Sequence, residues 1–235
     1  MENLPLSLSL AFGVTTGFTV WVFYKAAHYR WGSLLGLLLW LLLQGALALG
    51  GFYTITSSFP PRLGLLLGPP LLVLALLFFT TSGRKFLDGL RIETLMLLHL
   101  VRIPVELVLF GLYLHQAVPK LMTFEGRNWD ILAGLTAPII YYLAFVTKQM
   151  GSKSLLLWNL ICLGSLLNIV MNAVLSAPSA FQQFAFDQPN VALLHFPFVF
   201  LPSCVVPLVL LAHMVAIRQL TAKSEQDTVN RSAAF

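Results

Sequence analysis

Residues 34–49 read LLGLLLWLLLQGALAL, with no charge anywhere in the run. A run this continuous does not suit the alternating strands of a β-barrel. It is what a lipid-crossing helix requires, because in hydrocarbon each backbone N–H and C=O must find its partner within the segment. At roughly 20 apolar residues per crossing, the sequence predicts seven spans: 5–27, 33–55, 63–82, 91–117, 129–149, 154–177 and 196–218. Hydrophobic residues make up 58% of the 235-residue chain and charged residues 10%, against about 45–50% and about 25% in a soluble domain. That is too little charge to cover a water-facing surface. The expected fold is an all-α integral membrane protein, a bundle of seven transmembrane helices over residues 1–220. A polar, disordered cytoplasmic tail is expected over 221–235. The first span starts without a basic segment or a small-residue cleavage site, so it is expected to be retained.

Lysine and arginine set the expected orientation. One set of span ends holds Lys25, Arg30, Arg84, Lys85, Arg91, Lys148, Lys153, Arg218, Lys223 and Arg231, and the other only Arg62, Lys120 and Arg127. The richer side reads as cytoplasmic, which puts the N-terminus outside and the C-terminus inside. This asymmetry accounts for the net charge of +5, and no basic run is dense enough to argue for a nucleic-acid partner. Cys162 and Cys204 both fall in spans without C-x-x-C spacing, so neither a disulfide nor a metal site is expected.

The fourth span interrupts the apolar pattern. In RIETLMLLHLVRIPVEL, residues 91–107, an imidazole, a guanidinium and a carboxylate sit where water is scarce. At 100° per residue His99, Arg102, Glu106 and Tyr113 share a sector of roughly 60°, with Leu109 read as pointing off it. A mid-span charge costs about 2.5–3.5 kcal/mol to insert, so this face is expected to point into the bundle. Arg102 and Glu106 are expected to pair, and Pro104 between them leaves the carbonyl of Leu100 without its helical donor. Span six offers a facing stripe of Ser165, Asn168, Asn172 and Ser176. Gln44, Thr15, Thr16 and Thr19 could add polar groups to a shared cavity. Glu125, Arg127, Asn128 and Asp130 cluster in the outer loop 118–130 around Gly126, as a solvated turn or as a lid over the cavity. A second outer loop, 176–197, has room for a short surface helix. Prolines 69, 70, 138, 197, 202 and 207 predict further bends.

Several chemistries lack their signatures. Span seven has no retinal-binding lysine, and neither the receptor motifs of G-protein-coupled receptors nor an H-E-x-x-H zinc site is present. His213 lacks the H-x-x-x-H partner of ceramidase-type hydrolases. A serine or aspartyl intramembrane protease would need its own dyad, and none is read in the spans. The two halves of the chain show no repeat and no PQ-loop motif, which removes that argument for a carrier. No cofactor is expected. Haem b at His99 and His213 is the alternative, since both lie in the inner half while His115 and His195 lie at the outer edge. Against it, His99 and His115 are about 160° apart around their helix.

RIPVELVLFGLYLHQAVPKLMTFEGRNWDILAGLTAP, residues 102–138, resembles a group of bacterial seven-helix membrane proteins with RIPVE in one span and MTFEGRN in the following outer loop. The resemblance implies a multi-pass protein of the bacterial inner (plasma) membrane and points to Arg102, Glu106, Glu125, Arg127 and Asn128. It implies no activity. The expected function is binding or translocation of a small polar or anionic solute, or of protons, through a cavity lined by His99, Arg102, Glu106, Tyr113, Asn168 and Asn172. The alternatives are a sensor or scaffold without flux and an intramembrane lipid-modifying enzyme, for which no nucleophile–base pair is read. The expected partners are the bilayer and the solute or proton. Nothing in the sequence excludes a homo-oligomer.

Overall fold

A computed structural model describes residues 4–232, with side chains through Ala222. Every regular element among them is helical. In chain order these are α1 (Leu6–Ala26), α2 (Trp31–Leu49), α3 (Gly64–Phe79), α4 (Thr81–Asp88), α5 (Ile92–Leu98), α6 (Arg102–Leu114), α7 (Asp130–Tyr141), α8 (Ser152–Ser176) and α9 (Val206–Ser232). Among the described residues, five stretches are long and apolar enough to cross a membrane: Leu6–Ala26, Trp31–Leu49, Ile92–Leu114, Ser152–Ser176 and Leu201–Ala222. A sixth is added if α3 and α4, bent by 92° at Thr80, count as one broken span. The remaining expected span, 129–149, is a shorter apolar helix, Asp130–Val146. The backbone of α9 continues through most of the expected tail 221–235, whose side chains beyond Ala222 and last residues 233–235 lie outside the described part.

Local sequence explains the breaks. Thr80 ends α3 and starts α4, its hydroxyl donating to Leu76 O (2.7 Å) and accepting from Gly83 N (3.1 Å). The corner is so tight that a Cβ on Gly83 would lie 2.4 Å from Leu77 O, so this position demands glycine. Pro104 cannot donate to Leu100, and the helix tightens into a 3₁₀ turn over His99–Val101 between α5 and α6. Pro207 likewise leaves Ser203 O without its helical donor, and Trp40 of α2 supplies one from Nε1 at 2.8 Å. Two π-helical stretches, Tyr142–Val146 after α7 and Leu201–Val205 before α9, complete the irregular points.

α1, the α5–α6 span and α9 form the centre, with Phe12, Phe23, Leu95, Leu112, Leu211 and Val215 buried among them. α2 stands at the side and buries only Gln44, Gly45 and Ala48. At one end of the bundle Arg91 N donates to Ala26 O (3.0 Å), and the Arg218 guanidinium clamps Asp88 through two bonds of 2.7 and 2.9 Å. These bonds hold the Asp88 carboxyl below its usual range. At the other end Val191 N and Ala192 N donate to Ala117 O, and Gln188 Nε2 donates to Val118 O. The 176–197 loop is thereby folded onto the 118–130 loop, with a 3₁₀ turn at Ala192–Leu194 in place of the expected surface helix.

Candidate functional site

The polar face of the central span turns inward, as the insertion cost of its charges requires. His99 is 0% exposed, Arg102 3% and Glu106 2%. Their partners differ from the expected ones. Arg102 does not pair with Glu106: its Nη1 donates to Asp130 Oδ1 at 2.9 Å, and its Nη2 donates to His213 Nε2 at 2.7 Å. Arginine has only donors to offer, so Nε2 of His213 must accept and the proton must sit on Nδ1. That Nδ1 in turn donates to Asn159 Oδ1 at 3.0 Å, and Asn159 Nδ2 donates to Leu155 O at 2.9 Å. The chain of bonds therefore crosses from α7 through α6 and α9 to α8.

Asp130 is not a loop residue. It opens α7 and is 6% exposed. Its Oδ1 accepts from Ser165 of α8 (3.0 Å) as well as from Arg102, and its backbone N donates to Asn128 Oδ1 (3.1 Å). This Asx-type bond starts the helix and points the carboxylate inward. Asn128 Nδ2 donates to Glu106 Oε1 and to Met122 O (3.0 Å). Gly126 makes the turn that brings Asn128 in, since a Cβ there would lie 2.2 Å from Lys120 O. Glu106 Oε2 is left buried without a partner.

A cavity of about 60 Å³ adjoins this carboxylate. At about 30 Å³ per water it has room for about two waters. Glu106, Asn128 and Asp130 form its polar end, and the remaining walls are apolar residues of α3, α6, α8, α9 and the connecting segments. No cation lines it. Arg102 lies behind the wall, with its charge already met by Asp130.

The other expected site residues fall into two groups. His99 packs face to face on His213 (ring centroids 4.1 Å) and edge-on to Trp158 (5.5 Å), and both of its ring nitrogens lack partners. Ser165 joins the network, whereas the rest of the span-six stripe does not line the cavity. Asn168 is exposed and donates to Arg127 O (2.9 Å), and the buried Asn172 donates to Asn168 O (3.0 Å). Glu125 and Arg127 are exposed, with Arg127 over the Phe184 ring. Tyr113 packs on Phe110 off the cavity wall. Thr15, Thr16 and Thr19 spend their hydroxyls on carbonyls of their own helix, and Gln44 accepts from Tyr53.

Sequence reasoning missed Asn159 and gave His213 no role outside haem. The signal for Asn159 was a lone amide in WNLICLG. Nothing in the sequence tells which helix it faces.

Leu109 corrects a further expectation, since it lines the cavity one turn beyond Glu106. In a background with Cys162→Ala and Cys204→Ala, we expect Leu109→Cys to react with a water-soluble methanethiosulfonate although Leu109 is only 3% exposed. Leu107→Cys, at a position 57% exposed but facing lipid, should stay inert, because the reagent needs a thiolate and thiolates form only where water reaches. No reaction at Leu109→Cys, whether or not Leu107→Cys reacts, would mean that the cavity is dry.

Residues 60–221 match the family described as a domain of unknown function (DUF8737), a stretch that includes every residue of the network around Arg102. No curated protein and no solved structure matches the chain.

Proposed function

Since the chain belongs to the DUF8737 family, whose description carries no activity, we infer a function from the site alone. The protein is a membrane carrier that binds a proton, or a small solute presenting a cationic or hydrogen-bond-donating group, at Glu106 and passes it across the bilayer. One observation carries this reading: Glu106 keeps Oε2 buried and unpartnered beside a cavity whose only other polar lining is Asn128 and Asp130. A charged oxygen buried without a partner is costly, so the site calls for a proton or a donor from outside the protein. An anionic solute is disfavoured, because the cation it would need is neutralised behind the wall.

The bundle crosses the membrane seven times, with α3 and α7 as its shorter spans, the N-terminus outside and the C-terminus in the cytoplasm. The lysine and arginine bias supports that orientation. The RIPVE and MTFEGRN motifs support a bacterial inner membrane.

Dicyclohexylcarbodiimide, an apolar reagent to which a protonated carboxyl adds to leave a stable N-acylurea, tests the site without knowledge of the solute. The expected result is one adduct by mass spectrometry, at Glu106, which weakens as the pH is raised and vanishes in Glu106→Gln. An adduct at Asp130 alone, or none, would show that Glu106 is not the proton-binding group.

A further inference from the structure

A second, larger cavity of about 400 Å³ lies between α2, α3 and α9 on the other side of the Leu201–Val205 π-helical stretch. It shares no lining residue with the cavity beside Glu106. Gly32 and Gly36 open its wall on α2, and Pro69 and Pro70 face them from α3. Its one strong donor, Trp40 Nε1, is already used by Ser203 O. Nothing in its middle therefore asks for a polar ligand, and a gap of this size among membrane helices is filled by hydrocarbon.

The groove is not apolar at both ends. Ser33 and Phe86 line the end next to the α1–α2 turn and α4. There the Arg30 guanidinium lies 5.6 Å from the centroid of the Phe86 ring. Arg84 and Lys85 project from α4, which the 92° bend lays across the end of the bundle. All three cations are exposed, and none makes a salt bridge among the described residues. The nearby acid, Asp88, is already engaged by Arg218.

We propose that this groove binds one anionic phospholipid, with an acyl chain between α2 and α3 and the phosphate headgroup at Arg30, Arg84 and Lys85. Basic residues at a bilayer surface favour anionic lipid, and guanidinium groups suit phosphate. Phe86 lines the groove and carries the Arg30 guanidinium on its ring, and Arg84 and Lys85 precede it on α4, so one molecule can reach both. The site is independent of Glu106, and either reading can fail without the other.

The test is native mass spectrometry of detergent-purified protein titrated with phosphatidylglycerol or with phosphatidylcholine of the same chains. We expect one phosphatidylglycerol to be retained in preference to phosphatidylcholine. Each of Arg30→Gln, Arg84→Gln and Lys85→Gln should lower that retention by about fivefold. Gly36→Phe should abolish retention of both lipids, because a Cβ at Gly36 meets no atom within 4 Å and the ring can enter the groove without disturbing the helix. The three charge variants are surface changes that leave folding intact, so they decide the matter even if Gly36→Phe fails to fold. Equal retention of the two lipids by the wild type, or unchanged retention in the charge variants, overturns the headgroup assignment. Undiminished binding in a folded Gly36→Phe protein overturns the groove.

Discussion

Asp130→Ala is expected to destabilise the protein by about 3–5 kcal/mol, the range for removing one partner of a buried ion pair. Arg102 would be left with His213 as its only side-chain acceptor, and Ser165 would lose its partner as well. The loss corresponds to a fall of roughly 10 °C in melting temperature for a chain of this size. Arg102→Met combined with Asp130→Ala should recover most of that loss, because a buried pair replaced by apolar side chains is often nearly neutral. Glu125→Ala, in the same loop but exposed, should stay within about 0.5 kcal/mol of wild type. Melting in detergent distinguishes these cases. If the double variant is less stable than Asp130→Ala alone, Arg102 and Asp130 are not coupled as a pair. Glu106→Ala, by contrast, should cost less than Asp130→Ala, because Glu106 carries no ion pair to Arg102.

Glu106→Gln is the variant with the largest expected functional effect. The amide keeps the shape of the side chain, and its oxygen can still accept from Asn128, so the fold should survive. What it cannot do is gain and lose a proton. In liposomes loaded with a pH-sensitive dye, an inside-negative potassium diffusion potential should drive acidification through the wild-type protein. Glu106→Gln should fall by more than tenfold, to about the leak of protein-free vesicles, since proton transfer through a carboxyl commonly contributes 10²–10⁴-fold. Flux at the wild-type rate in Glu106→Gln would remove Glu106 from the pathway. Carbodiimide labelling without any flux would favour a binding protein that senses its ligand and does not transport it.

The two cavities sit in contrasting settings along α9. Leu201, Pro202 and Val206 face the carboxylate cavity, while Ser203, Cys204 and Pro207 face the lipid groove. π-Helical turns often mark functional sites because the extra residue widens the helix and redirects side chains. In this chain the widened turn is the wall between two spaces of opposite character. Pro207 adds the unpaired carbonyl that anchors α2 through Trp40.

The amino-acid sequence by itself determined that the chain is helical and apolar enough for a membrane, and it located most of the long helices, but not α4 or the continuation of α9 beyond residue 218. It also determined that His99, Arg102 and Glu106 turn inward. These conclusions follow from local quantities: the length of apolar runs, the 100° step of a helix and the cost of putting charge into hydrocarbon. Partner choice was decided only by the tertiary structure. Arg102 could meet Glu106 one turn along its own helix, yet it meets Asp130, 28 residues on. The Asx-type bond at Asn128 starts α7 at Asp130, which brings that carboxylate and the amide of Asn128 inward together. Asp130 then takes the guanidinium, and Asn128 takes Glu106. Spacing along one helix cannot report which side chain a neighbouring helix will deliver, because that depends on how helices distant in sequence rotate and pack. For the same reason His213 and Asn159 were invisible as members of the network. The lipid groove was equally hidden, since glycines and prolines scattered over three helices become one wall only after the bundle has closed.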